Sequence, residues 1–280
     1  MSARLLRRPG SGQVARWAIL LIAAIYFIGP LVAAFSFTVE KPGGGVSLSP
    51  YGQIFSTHAQ GQISFTASLT YSLILSAATI VLTLLLMVPT QIVLRLYAPG
   101  LQPVVETICL LPLVFPPVVL VVGVSDIYRA TGPSGPLSGP LAWIREQQHP
   151  VLLVILYSVM SLPFVYRAIR AGIEAVPLVT LVEASRNLGA SWPRTIVSVV
   201  LPTLRTALIN AGFLCFALAM GEYTIAGILL YTKPFPVWLS QLPATSGQEQ
   251  AAISVLSLLL VELALLLVSG LGIKSKRGQS

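Results

Sequence analysis

Six stretches of this chain are almost free of charge: 17–37, 69–94, 104–127, 151–169, 206–230 and 251–273. Each offers roughly 20 largely apolar residues, the length an α-helix needs to cross ~30 Å of hydrocarbon. Because backbone polar groups in lipid must pair within their own segment, runs of this kind are read as helices. The stretches between them have another character. Residues 39–66 contain KPGGGVSLSPYG and residues 130–140 read ATGPSGPLSGP, where glycine and proline oppose a continuous helix and mark irregular loops. Neither carries the G-x-x-x-x-G-K spacing of a phosphate-cradling loop, so both are read as linkers.

Two of the apolar stretches have features of their own. The first follows Arg4, Arg7, Arg8 and Arg16 and reaches the small residues Ala33 and Ala34, which are the flanks of a cleavable signal peptide. Its apolar run exceeds the 7–15 residues of a signal's hydrophobic region, and five more stretches follow, so it is read as a retained first helix. The third reads LLPLVFPPVVLVVGV, with Pro112, Pro116, Pro117 and Gly123. Each proline removes a backbone donor and opposes a straight helix, so this span is predicted to be kinked or broken. The bend serves either packing or the shaping of a solute route.

Composition then excludes whole classes. Of 280 residues, 55% are hydrophobic and only 9% charged, far from the about 25% charged of an ordinary soluble domain. Short cytoplasmic loops are enriched in Lys and Arg. With the amino terminus inside, Arg4, Arg7, Arg8, Arg16, Arg95, Arg167, Arg170, Arg186, Arg194, Arg205, Lys274, Lys276 and Arg277 fall on the cytoplasmic side, and only Lys41, Arg129, Arg145 and Lys233 fall outside. This orients the chain with both termini in the cytoplasm. The formal net charge of +8 follows from that topology and from attraction to anionic lipid head groups, with no nucleic acid required. Cys109 and Cys215 lie in the third and fifth stretches and are read as buried thiols acting as small hydrophobes.

One polar stretch stands apart from the linkers. Residues 183–202 read EASRNLGASWPRTIVSVVLP. Pro177 suits the first turn of a helix whose apolar face is Leu178, Leu181, Val182 and Leu188. Gly189 suits a left-handed helix terminus, and Ser191 suits the N-cap of a second helix carrying Ile196, Val197, Val199 and Val200. From amphipathicity alone this helix–turn–helix unit would either lie on lipid head groups or dock on a partner.

The spacing in this unit resembles the cytoplasmic "EAA" loop of ABC importer permeases: Glu-Ala-Ala, three residues, Gly, nine residues, then Ile-x-Leu-Pro. It falls on Glu183, Ala184, Ser185, Gly189, Val199, Leu201 and Pro202, with Ser185 for the second Ala and Val199 for Ile. The proline-rich third stretch is similar to the third-helix pattern of the same permeases. GEYTIAG at 221–227, followed by FPVW at 235–238, resembles the fifth-helix region of permeases for polyamines, iron(III), thiamine and oxyanions, nearest to those for spermidine and putrescine.

The resemblance implies an all-α, polytopic membrane protein with six transmembrane helices in the type I ABC permease (MetI-like) architecture. One permease domain would fill residues 1–280, with a core at 65–273 and a cytoplasmic coupling loop at 174–205. It further implies a subunit of an ATP-driven importer in a bacterial cytoplasmic (inner) membrane, carrying a small solute such as a polyamine, or alternatively iron(III), thiamine or an oxyanion. The partners implied are a second permease forming a heterodimer, two cytoplasmic ABC ATPases and an extracytoplasmic substrate-binding protein. No cofactor is expected in this chain; ATP and Mg would be bound by the partner ATPase. Coupling roles carry over to Glu183, Ala184, Ser185, Gly189, Leu201 and Pro202.

No enzyme constellation accompanies these features. His58 and His149 form no metal-ligand set, and there is no G-x-S-x-G elbow and no nucleotide-binding loop. Ionisable groups inside apolar spans are costly and mark either a pathway or a satisfied pair. Glu222 with its neighbour Tyr223, Asp126 and Glu262 are therefore the candidate pathway residues. A proton-coupled secondary transporter would use Glu222 and Glu262 as a relay and would often show inverted repeats, which this chain lacks.

Overall fold

The computed structural model describes residues 11–41, 44–54, 63–130, 150–243 and 247–274. The linker at 131–140, His58, His149, and the charges Arg4, Arg7, Arg8, Arg145, Lys276 and Arg277 lie outside them.

The described residues are almost wholly helical. In chain order the helices are α1 Ser11–Val39, α2 Ser49–Gln53, α3 Phe65–Leu96, α4 Gln102–Val114, α5 Pro117–Ala130, α6 Val151–Glu174, α7 Leu178–Asn187, α8 Trp192–Thr195, α9 Leu201–Gly221, α10 Thr224–Ile228, α11 Phe235–Ser240 and α12 Gly247–Lys274. An isolated bridge joins Glu40 and Val46. Four helical runs are long and apolar enough to cross a membrane: Ala15–Val39, Phe65–Leu96, Val151–Glu174 and Trp192–Ile228. The bent pair α4 and α5 makes a fifth if it is counted as one crossing.

Contacts divide the chain into two units, one within Met1–Thr57 and Pro243–Leu260, the other within His58–Leu242 and Val261–Ser280. In the first, α1 presents apolar side chains on every side, with Ile19, Leu21, Ile25 and Phe27 all more than 60% exposed. Its carboxyl end is held locally. Thr38 Oγ1 lies 2.8 Å from the Tyr51 hydroxyl, and Gln248 Nε2 donates to the Glu40 carbonyl at 2.6 Å.

The second unit is built on α3, α6 and α9, which pack on one another. Met87, Val88 and Ile92 of α3 meet Val165, Tyr166, Ile169 and Ile173 of α6 and Leu204, Ala211 and Cys215 of α9 in one buried cluster. Without a hydrophobic drive between helices in lipid, close approach rests on small and hydroxyl residues. Both are present. A Cβ on Gly172 would sit 2.2 Å from the Ala207 Cβ, so α6 and α9 touch where only glycine fits. Thr83 Oγ1 lies 3.3 Å from Ser161 Oγ, and the Cys215 thiol reaches Ser161 Oγ at 3.5 Å. Cys109 and Cys215 are both free and buried, as their placement in apolar stretches led us to expect.

Two spans are interrupted. α4 and α5 meet at 95° across Phe115 and Pro116. Pro116 and Pro117 both lack an N–H, and a residue before proline is driven to extended backbone; Phe115 has ψ 124°. Pro112, by contrast, is absorbed inside α4. The fifth span stops at Gly221, passes through Glu222 in extended conformation (φ −79°, ψ 116°) and resumes as the short α10. α10 in turn ends on Leu230, whose φ of 61° puts a branched side chain where helices ordinarily carry glycine. α11 is fastened to the start of α3: Trp238 Nε1 donates to the Ile63 carbonyl at 2.7 Å, and the Phe235 N–H donates to Ser72 Oγ at 2.7 Å.

Candidate functional site

The stretch singled out by its polar pattern folds into a tight turn between two helical segments. α7 ends in a left-handed glycine: Gly189 has φ 82°, its N–H donates to the Arg186 carbonyl at 2.9 Å, and the Ala190 N–H donates to the Ser185 carbonyl at 3.2 Å. This pair of bonds closes the last turn and satisfies carbonyls that the helix end would leave open. Arg186 Nη1 adds a bond to the Ala190 carbonyl at 2.6 Å.

Three details differ from the expectation. Pro177 precedes α7 instead of entering its first turn, with ψ 62°. Ser191 occupies the N-cap position of α8 with extended backbone (ψ 160°), yet its hydroxyl makes no capping bond. The second helix is not a separate element. α8 runs through one π-helical turn, Ile196–Val200, directly into α9, with the Leu201 N–H reaching back to the Ile196 carbonyl. The cytoplasmic unit of the sequence reading is therefore one free helix plus the first turns of the fifth span.

Burial divides the loop into two faces. Leu178 and Val182 of α7, Val200 and Leu204 are buried in the cluster formed by α3, α6 and α9. Glu183, Ala184, Gly189 and Pro202 are exposed, while Ser185 and Leu201 are half-buried. Ser185 Oγ lies 3.0 Å from Thr195 Oγ1 and ties α7 to α8. Leu188, expected on the packed face, is 89% exposed. It follows the last turn of α7, so its direction no longer obeys the helical period. Together with Leu181, Ser185, Gly189, Ala190, Arg194, Ser198 and Val199, Leu188 lines a cleft of about 430 Å³. The result is an exposed, concave surface on a backbone welded to the membrane helices.

The candidate pathway residues are not brought together. Glu222 is half-buried, and its carboxylate accepts from the N–H groups of Thr224 (3.1 Å) and Ile225 (2.9 Å), capping the start of α10. The Tyr157 hydroxyl donates to the Glu222 backbone carbonyl at 3.2 Å. Tyr223 is half-exposed and covers Gly227, where a Cβ would sit 3.4 Å from the ring. Asp126 is exposed and 4.0 Å from Arg129 on the same helix, and Glu262 is exposed on α12. No hydrogen bond or ion pair joins these carboxylates among the described residues.

One charged group escaped the sequence reading except as a tally mark. Arg170 of α6 pairs with Glu106 of α4 and, at 2.8 Å, with Glu174. The Arg170–Glu174 spacing of i, i+4 was visible in the sequence, but the long-range partner Glu106 was not.

Residues 97–273 match the family described as binding-protein-dependent transport system inner membrane component. The chain belongs to that family. It is thus a multi-pass membrane component, and the family and its relatives are transport subunits, not enzymes. A probable ABC transporter permease protein, y4fN, of Sinorhizobium fredii is 29% identical over 95% of this chain and 47% of its own length. The molybdenum transport system permease protein ModB of Escherichia coli is 32% identical over 41% of this chain and 52% of its own. The protein of the same name from Mycobacterium tuberculosis is 29% identical over 94% of this chain and 96% of its own. The chain thus spans about half the length of the first two and nearly all of the third. The molybdenum names give no support to the polyamine expected from the GEYTIAG stretch.

Proposed function

We propose that this chain is the membrane-spanning permease subunit of an ATP-driven importer, and that its solute is an oxyanion of the molybdate kind. In this reading the chain crosses the membrane six times, with α4–α5 and α12 each serving as one crossing and both termini in the cytoplasm. It pairs with a second permease, receives solute from an extracytoplasmic binding protein, and rests on two cytoplasmic ATPases that hold ATP and Mg. The chain itself carries no cofactor.

The observation that carries the reading is the two-faced loop. Glu183, Ala184, Leu188 and Gly189 are exposed, while Leu178 and Val182 of the same helix are buried against α3, α6 and α9. A push on the outer face reaches the bundle without loss in a flexible linker. Residues 183–189 receive the ATPase, and Leu201 and Pro202 pass the motion into α9. Alternating access of the bundle follows from rigid-body shifts of this kind.

An anion is favoured over a polycation by two groups. The carboxylate of Glu222 is engaged by backbone N–H groups, which leaves less of it to attract an ammonium. Lys233, outside in this topology, lies 5.7 Å over the Tyr71 ring and has no carboxylate partner among the described residues. Uptake of molybdate and of spermidine by cells carrying the intact importer tests the solute. Molybdate uptake that stops on deletion of this chain is expected; spermidine uptake with no molybdate uptake would overturn it.

A further inference from the structure

A second cavity lies on the other side of the fifth span, about 680 Å³ in volume, between α3 and the continuous rod of α8, the π turn and α9. Its walls are apolar along their length: Leu85, Val88 and Ile92 from α3, Ile196 and Leu208 from the rod. Its mouth is aromatic. Tyr97 and Trp192 both line the cavity, with ring centroids 6.0 Å apart, the residue types that settle at the head-group level of a bilayer.

Two arginines belong to that end of the groove. Arg186 stacks over Trp192 at 5.3 Å. Arg95 is exposed in the last turn of α3 and continues the 85, 88, 92 row of that helix whose side chains line the cavity. Neither has a carboxylate partner among the described residues. Positive charge without counter-charge, an interfacial aromatic pair and a long apolar slot occur here in the order in which a phospholipid presents phosphate, glycerol and acyl chain.

We propose that this groove holds one anionic phospholipid of the cytoplasmic leaflet, its acyl chain between α3 and α9 and its phosphate against Arg95 and Arg186. One wall is the return of the ATPase-facing loop, Trp192 and Ile196. The bound lipid therefore braces that loop against α3, and lipid charge becomes a control on the stiffness of the connection. The proposal uses the topology of the reading above, but neither its solute nor its ATPase contact.

The test uses the full chain purified in detergent, with phosphatidylglycerol or phosphatidylcholine added and retention read by native mass spectrometry. One phosphatidylglycerol should be retained per chain in preference to phosphatidylcholine. A diazirine-tailed phosphatidylglycerol should cross-link to α3 and to residues 196–208. Combined Arg95→Gln and Arg186→Gln should reduce the preference on the order of tenfold, and Val88→Trp, which fills the slot without touching charge, should remove retention of both lipids. Equal retention of the two lipids, or cross-links confined to other helices of the wild type, would overturn the site whatever the variants do. A disulfide between cysteines placed at Leu85 in one copy and Phe27 in another would overturn it too, by showing α1 of a second copy in the groove. Labelling of Ser191→Cys from outside intact cells would instead overturn the topology, and with it the leaflet, while lipid retention in detergent stayed as measured.

Discussion

Over a membrane-length stretch, α1 has a mean hydropathy of 2.5 and none of it is buried; α6 has a mean hydropathy of 1.8 and 56% of it is buried. Each within its own unit, the more apolar helix is the one with fewer protein neighbours. What α6 has instead of extra hydropathy is the means to let other helices close in: Ser158, Ser161 and Gly172 on its packed faces, where α1 places Ile, Leu, Phe and Tyr on all sides. Hydropathy selects a segment for the bilayer; small and hydroxyl side chains select its partners once it is there.

The contrast is sharpest at two glycines. In α6, Gly172→Leu drives a side chain into Ala207, and overpacking of this kind costs about 1–3 kcal/mol or more. A large fall in folded yield and in the detergent unfolding midpoint is expected. In α1, Gly29 has open space where its Cβ would be, so Gly29→Leu should leave the purified chain's midpoint within about 0.5 kcal/mol of the wild type. Equal effects at the two positions would break the comparison.

The next effect concerns the loop. Gly189→Val places a β-branched residue at φ 82°, at a cost of about 1–2 kcal/mol. Because the Gly189 site is open, the chain should still insert and assemble. Solute-stimulated ATP hydrolysis of the complex should fall severalfold, since the angle between α7 and α8 changes while the buried anchor of Leu178 and Val182 does not. Normal stimulated hydrolysis would remove this loop from the coupling path.

Smaller still is the hydroxyl contact. A double-mutant cycle of Thr83→Val and Ser161→Ala should return a coupling of about 0.6 kcal/mol, the scale of hydrogen bonds between membrane helices. Zero coupling would mean that shape alone brings α3 and α6 together. The smallest change expected is Glu222→Gln. The Thr224 and Ile225 N–H groups use different carboxylate oxygens and the amide keeps only one acceptor, so one bond is lost; stability should drop by about 0.5 kcal/mol, with molybdate uptake unchanged. A severalfold change in uptake at unchanged stability would return Glu222 to the solute route.

Much of this could be read from the sequence, for physical reasons that also explain the rest. Lipid demands internally paired backbone, so the apolar stretches mark the bodies of α1, α3, α6 and most of α9, while their ends miss, most of all at Gly221, where the expected span ran on through the break. Gly189 was legible because few other residues take a positive φ cheaply. The break at Phe115 and Pro116 was legible as a tendency, but its 95° angle depends on what α5 packs against, and Val121 is buried among residues distant in sequence. The merging of α8 into α9 was hidden because Ser191 and the period of the following valines suit a separate helix equally well. The Arg170–Glu106 pair was invisible, since two charges 64 positions apart announce nothing until the helices between them are folded.

The π turn at Ile196–Val200 carries one residue more than an α-helical turn would need. Such a turn is a stored insertion: the helices on either side keep the phase they would have had without it. Removing a single exposed residue there, Val197 or Ser198, would therefore shorten the rod while leaving Leu204, Ala207 and Ala211 facing α6 as before. A one-residue deletion a few positions further on, inside α9, has no such slack and would turn every later side chain by about 100°. Among natural or engineered variants of this span, length changes should be tolerated at 196–200 and rejected beyond Leu204.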